Sequence, residues 1–144
     1  KQIQYFSFAE TSSLGKPFLT SKEKLPTRGG LKFIYTQNNI YMVILGGING
    51  TAVSKECSIY SINIDKNTNQ YTITSNLIKT IEMNYVRYDF DTFVGPFGKL
   101  LWVSGGYGSD NQYISTNEWL AIDNIETNPI FIKSPLLRLL LGFF

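Results

Sequence analysis

An apolar run stopped by a glycine pair occurs twice in this chain. Ile40-Tyr41-Met42-Val43-Ile44-Leu45-Gly46-Gly47 is the first copy, and Leu100-Leu101-Trp102-Val103-Ser104-Gly105-Gly106 is the second. Gly46 and Gly105 stand 59 positions apart, and the same offset carries Arg28 onto Arg87. One shared dipeptide is noise, but an offset that coincides at two separate places marks an internal repeat. Repeat architectures hold their scaffold constant and put function in the loops that leave it.

The residues around the two copies favour strands. Ten Phe, nine Tyr and two Trp, with Ile, Val and Thr, fill most periodic segments, and good helix formers never accumulate for long. At 144 residues and 43% apolar content the chain can bury a core, which excludes the disordered and low-complexity classes. The formal charge of +2 is spread without a basic block, so no nucleic-acid footprint and no membrane-binding face is expected.

Taken in order, Ile3 to Phe8 and Lys16 to Leu19 read as two strands separated by the turn residues Ser12-Ser13-Leu14-Gly15. Leu25-Pro26-Thr27-Arg28-Gly29-Gly30 connects to a strand over Leu31 to Tyr35, and Gln37-Asn38-Asn39 reverses the chain into the first central run. Gly46-Gly47 is expected to end that strand and open a loop from Ile48 to Glu56. Ser58 to Asp65 alternates at period two with a phase shift that a bulge near Tyr60 accommodates, and Gln70 to Thr74 is the fourth strand. A connection over Ser75 to Tyr85 follows, and the order repeats from Arg87. The second unit has strands at Tyr88 to Val94, Leu100 to Ser104, Glu118 to Asp123 and Pro129 to Lys133, with a loop from Tyr107 to about Ser115.

This ordered set resembles the kelch repeat. The resemblance rests on Leu25-Pro26-Thr27-Arg28, Ile40-Tyr41, Gly46-Gly47, the strand Tyr60 to Asp65 and the aromatic Tyr71; the second unit answers with Arg87, Leu100-Leu101, Gly105-Gly106, Trp119 to Asp123 and Phe131. Phe18 looks like the fourth-strand aromatic of a preceding unit. Two features depart from the family: its usual fourth-strand Trp is replaced by Phe18, Tyr71 and Phe131, and the 59-residue offset exceeds the period of roughly 50. The resemblance implies an all-β fold of four-stranded antiparallel blades, part of a β-propeller. Residues 1–27 would give outer strands of an incomplete blade, 28–86 one blade, and 87–144 a second blade with an apolar end. Closure takes about four to eight blades, so the resemblance implies that the chain is a fragment of a longer protein or covers its end blades by self-association.

The resemblance places Arg28, Arg87 and the loops after the glycine pairs on one rim. Arg28, Asn49, Arg87, Tyr107, Asp110, Asn111 and Tyr113 are the exposed partner-binding candidates, since Tyr and Arg carry much of the energy of such contacts. The alternative reading of the arginines is structural, each pairing locally to hold a blade junction. The expected function is recognition of a protein partner. Alternatives are a propeller enzyme acting on carbohydrates with catalytic residues outside this chain, and a purely structural blade array.

Enzymatic readings find little support. The chain has no His, which removes Ser-His triads and histidine metal sites, including the copper ligands of galactose oxidase, a kelch-like enzyme. Asp89 and Asp91 share a strand face, but nothing nearby supplies a third ligand or a nucleophile. The glycine pairs lack the G-x-G-x-x-G spacing of a nucleotide site. No catalytic residue, cofactor or metal is therefore expected. The single Cys57 permits no intrachain disulfide and favours a reducing, cytoplasmic setting, while Asn49-Gly50-Thr51 fits a glycosylation acceptor, so localisation stays open. No charged-then-apolar leader follows Lys1, and the apolar stretch from Leu136 to Phe144 is shorter than the roughly 20 residues of a membrane span.

Overall fold

The protein is described by a computed structural model covering residues 2–5, 16–20, 29–67, 70–95 and 98–134. The fold is all-β, and the described residues contain no α-helix. β1 (Gln2–Tyr5) and β2 (Lys16–Thr20) pair antiparallel. β3 (Gly30–Tyr35), β4 (Ile40–Asn49), β5 (Ala52–Asn67) and β6 (Gln70–Glu82) form a four-stranded antiparallel meander, sheet 1. β7 (Asp91–Val94), β8 (Leu100–Ser104), β9 (Asn117–Ala121) and β10 (Phe131–Ser134) repeat the order as sheet 2. A 3-10 turn at Ile122–Asn124 follows β9. Strand β3 lies beside β7, and β2 beside β6.

The core lies between the two sheets because alternation sends one side of each strand there. Sheet 1 contributes Ile34, Tyr41, Val43, Leu45, Cys57 and Ile59, and sheet 2 contributes Leu101, Val103, Leu120 and Phe131, all in one buried cluster. Each fully buried branched side chain contributes about 1.5–3 kcal/mol. Polar groups reinforce the contact from its margins. Lys32 Nζ donates to the Thr92 carbonyl (2.9 Å), Lys79 Nζ to that of Thr127 (3.1 Å), and the Tyr41 hydroxyl to Glu126.

Several expected boundaries move: the strand expected over Tyr88 to Val94 begins only at Asp91, the one over Glu118 to Asp123 ends at Ala121, and two more change within sheet 1. Strand β4 does not stop at Gly46-Gly47 but runs to Asn49, and Ile48↔Val53 and Asn49↔Ala52 remain paired. The expected loop from Ile48 to Glu56 is therefore a hairpin with Gly50 and Thr51 as its two-residue turn. Gly50, at φ 64°, occupies the first central position, where a type II′ turn needs glycine. The glycine pair instead makes a register shift between Leu45 and Gly47.

The connection expected over Ser75 to Tyr85 is mostly strand, since β6 continues to Glu82. A second register shift pairs Ile59 with Lys79 but Tyr60 with Leu77, leaving Ile78 extra. That bulge breaks the period of two at the adjacent apolar residues Leu77 and Ile78. The bulge expected within the strand near Tyr60 instead lies opposite it on β6; β5 pairs regularly with β4 from Cys57 to Ile62, and its apolar phase shift sends Ile59 and Ile62 to opposite faces of the sheet.

Candidate functional site

The segment that links the sheets runs between the two glycine pairs. Gly47 N donates to the Arg87 carbonyl at 2.8 Å, and Tyr88 and Tyr107 exchange backbone hydrogen bonds of 3.0 and 2.9 Å. A Cβ at Gly46 would lie 2.8 Å from the Arg87 carbonyl, and one at Gly106 would lie 2.7 Å from that of Tyr88. Gly46 and Gly106 also have φ of 46° and 88°. The pairs are thus contact points where the linker crosses both sheets, and only glycine permits that approach.

Arg87 leads that linker inward. Its side chain is fully buried, and so is that of Glu118 on β9, with Nη2 and Oε1 3.0 Å apart. Arg87 Nη1 donates to the Gly105 carbonyl (2.7 Å), and both terminal nitrogens reach the Thr116 carbonyl at 3.3 Å. Gly105 and Thr116 are the two ends of the loop after β8, so one guanidinium joins them. Glu118 Oε2 accepts from the backbone and side-chain nitrogens of Asn84 (2.6 and 2.9 Å), and Asn84 also donates to the Phe131 carbonyl (2.9 Å). The Tyr85 ring meets two cations, its centroid 5.4 Å from the Arg87 guanidinium carbon and 4.9 Å from Lys133 Nζ. Burial lowers the Arg87 pKa, and the Glu118 carboxylate opposes that shift.

Above this clamp the loop has its own order. Gly108 N donates to the Gln112 carbonyl (3.0 Å), Asn111 N to that of Gly108 (3.1 Å), and Ile114 N to that of Gly106 (2.9 Å). Asn111 takes φ 59°, a conformation Asn tolerates, and its Oδ1 accepts from the Tyr88 hydroxyl at 2.5 Å. Asp110 Oδ1 accepts from Gln112 N at 3.1 Å. The rings of Tyr88 and Tyr107 lie 5.8 Å apart, and Tyr113 meets Tyr107 edge-on at 6.2 Å. Tyr107 is 42% exposed and Tyr113 is 66% exposed.

The candidate residues therefore separate. Tyr107, Asp110, Asn111 and Tyr113 come together in one loop. Arg87, expected at the exposed rim, is buried beneath that loop because Glu118 and two carbonyls take its guanidinium. Asn49 is exposed at the tip of the β4–β5 hairpin, outside the tyrosine cluster. Arg28 lies outside the described residues. Asp91 Oδ1 accepts from its neighbour Thr92 N (2.7 Å), and no group of three His, Cys, Asp or Glu able to hold a metal occurs among the described residues. Burial pushes the Cys57 thiol pKa up.

Sequence reasoning missed Glu118, Asn84 and Tyr88. Glu118 is 31 positions from Arg87, and its inward placement depends on the register of β9. The one available signal was a carboxylate followed directly by the apolar positions Trp119 and Leu120. At the opposite end of the sheets a cleft of about 460 Å³ opens beside Asn38, Asn39 and Asp123, with Lys99 and Asp123 3.9 Å apart. No protein-family model matches the chain, and no curated protein matches it in sequence.

Proposed function

We propose that the chain is part of a kelch-like β-propeller and serves as a protein–protein interaction module, engaging its partner through the loop between Gly105 and Thr116. Two tandem four-stranded meanders, with first strands β3 and β7 side by side, support the architectural half of this reading. The functional half rests on one observation: Tyr107 and Tyr113 stay exposed on a loop whose two ends are joined by the buried Arg87 guanidinium. Rigid tyrosines offer large contact area at low entropic cost, and clamping the loop beforehand lowers the ordering penalty of binding.

The test is a photo-crosslinking amino acid at position 113 with a control at position 49. Mass spectrometry would identify the captured protein, and its affinity would then be measured for purified wild type and Tyr107→Ala/Tyr113→Ala. The expected result is capture at 113 only, and an affinity lowered at least about tenfold, about 1.4 kcal/mol, with no change in melting temperature. Equal capture at both positions, or an unchanged affinity, contradicts the reading. Saturation of the loop by oligosaccharides instead would favour a carbohydrate-directed propeller.

A further inference from the structure

The cleft at the end of the sheets away from the tyrosine loop has three walls. The β3–β4 hairpin brings Tyr35, Gln37 and Asn38, the turn before β8 brings Lys99, and the 3-10 turn after β9 brings Ile122 and Asp123. They border a volume of about 460 Å³, a size that small-molecule sites commonly have.

The walls are tied to one another before any ligand arrives. Thr36 N and Oγ1 donate to the Asn39 carbonyl (2.9 and 3.0 Å), and Asn39 N donates back to Thr36 Oγ1 (3.0 Å), which fixes the hairpin. Asn39 Nδ2 donates to the Tyr41 hydroxyl at 2.9 Å and to Glu126 Oε1 at 3.4 Å, and Tyr41 donates to the same carboxylate. The hairpin is thereby joined to the segment after β9. Ile122 N donates to the Lys99 carbonyl at 2.9 Å and joins the other two walls. A cleft held in this way has little freedom left to lose on binding.

The groups that these bonds leave over define the ligand. The side-chain amides of Gln37 and Asn38 take no part in them, and each presents both donors and an acceptor. Lys99 Nζ and Asp123 Oδ2 stand 3.9 Å apart, beyond hydrogen-bond reach, with side chains 67% and 74% exposed, so both remain open to other partners. One cation and one anion leave the cleft without net charge, which favours neither an anionic nor a cationic ligand. Ile122 is the only aliphatic residue among the described ones that line it and is 3% exposed, so no apolar pocket receives the anchor side chain of a peptide. Tyr35, 70% exposed, offers a ring instead. A pyranose suits all of these groups. Its vicinal hydroxyls both donate and accept, as side-chain amides do, and its C–H face carries the slight positive charge that the negative face of an aromatic ring attracts.

We infer that this cleft binds an uncharged saccharide, with Tyr35 stacked on a pyranose ring and Gln37, Asn38, Lys99 and Asp123 bonded to its hydroxyls. The site is separate from the tyrosine loop, and its ligand is independent of the protein partner proposed there.

The experiment is amide NMR of the isotope-labelled 144-residue chain, titrated with cellotetraose, maltotetraose, chitotetraose and mannotetraose. Each is taken to about 10 mM, roughly tenfold above a dissociation constant of about 1 mM. Shifts that saturate with at least one of them are expected at Gln37, Asn38 and Lys99, with none from Tyr107 to Tyr113. Tyr35→Ala and Asn38→Ala are each expected to weaken that binding at least about fivefold, and Tyr35→Phe to retain it, all with an unchanged melting temperature. Gln37→Ala repeats the test should either alanine variant unfold. No saturable shift with any of the four overturns the inference. So do shifts confined to the tyrosine loop, binding that the alanine variants leave intact, or larger shifts at the cleft from a sulfated oligosaccharide or an acetylated Gly-Ser peptide.

Discussion

Arg87 and Glu118 lie 3.0 Å apart with both side chains fully buried, one on the linker between the sheets and the other on the third strand of sheet 2. Taking two charges from water is expensive, and their mutual attraction offsets this only with additional hydrogen bonds. Glu118 has Asn84, and Arg87 has the carbonyls of Gly105 and Thr116. Among the described residues, Arg87 Nε has no hydrogen-bond partner and Glu118 Oε1 has only the ionic contact. The pair is thus better suited to fixing one arrangement of linker and loop than to maximising stability.

Breaking the pair from one side strands a buried charge. Arg87→Met or Glu118→Leu alone is expected to destabilise the fold by about 3–5 kcal/mol, and the double variant by less than either single one. Chemical denaturation of the three variants checks this. A double variant showing the summed loss would mean that the two residues act independently.

Gly46 and Gly50 both have positive φ, but their surroundings differ. Gly46→Ala drives a Cβ to 2.7 Å from Met83 Cε and 2.8 Å from the Arg87 carbonyl, whereas a Cβ at Gly50 would meet nothing within 4 Å among the described residues beyond its chain neighbours. Gly50→Ala is expected to cost about 1–2 kcal/mol of backbone strain, and Gly46→Ala about 1–3 kcal/mol more through overpacking. Thermal melts of both variants measure the difference, and equal losses would contradict the close crossing at Gly46.

Alkaline pH is expected to destabilise the fold. Burial raises the pKa of Tyr41, with its bond to Glu126 adding to the shift, and burial raises that of Cys57. The unfolded chain loses these protons at their ordinary values, 10.0 for the phenol and 9.0 for the thiol, before the native state does. Above those values the native state binds more protons, so stability is level below about pH 9 and falls as pH rises. Urea titrations from pH 7 to 11 read the slope. Tyr41→Phe and Cys57→Ala should each flatten it, and an unchanged slope in both would refute the assignment.

The same burial makes Cys57 a reporter of opening. It is 0% exposed within the core, so a thiol reagent is expected to react only as fast as the fold opens, with denaturant restoring full reactivity. Labelling of native protein at the rate of a free thiol would show that the β4–β5 region is open.

Much of the fold was legible because each device had a local signature. The glycine pairs, Gln37-Asn38-Asn39 and the period of Ser58 to Asp65 located strands and the β3–β4 hairpin, although the bulge expected in the strand near Tyr60 has its extra residue on β6. Other features depended on distant partners. Gly46-Gly47 and Gly105-Gly106 read alike, yet the first is a bulge inside β4 and the second ends β8. The sequence beyond them decides this, because Gly50-Thr51 makes a tight hairpin while Tyr107 turns back to pair with Tyr88. The recurrence of Arg87 was visible, but its burial required Glu118, which only register brings near. The sequence likewise showed Trp102 in an apolar run without showing which face of its strand meets the core.

The account stands on the claim that the buried Arg87–Glu118 pair pre-sets the tyrosine loop. Residue-resolved amide hydrogen exchange of wild type and Arg87→Met/Glu118→Leu tests it most directly. The amides of Gly108, Asn111 and Ile114, each bonded within the loop, are expected to exchange much faster in the double variant while those of β4 and β5 keep their protection. Unchanged protection in the loop, or an equal loss throughout both sheets, would contradict it.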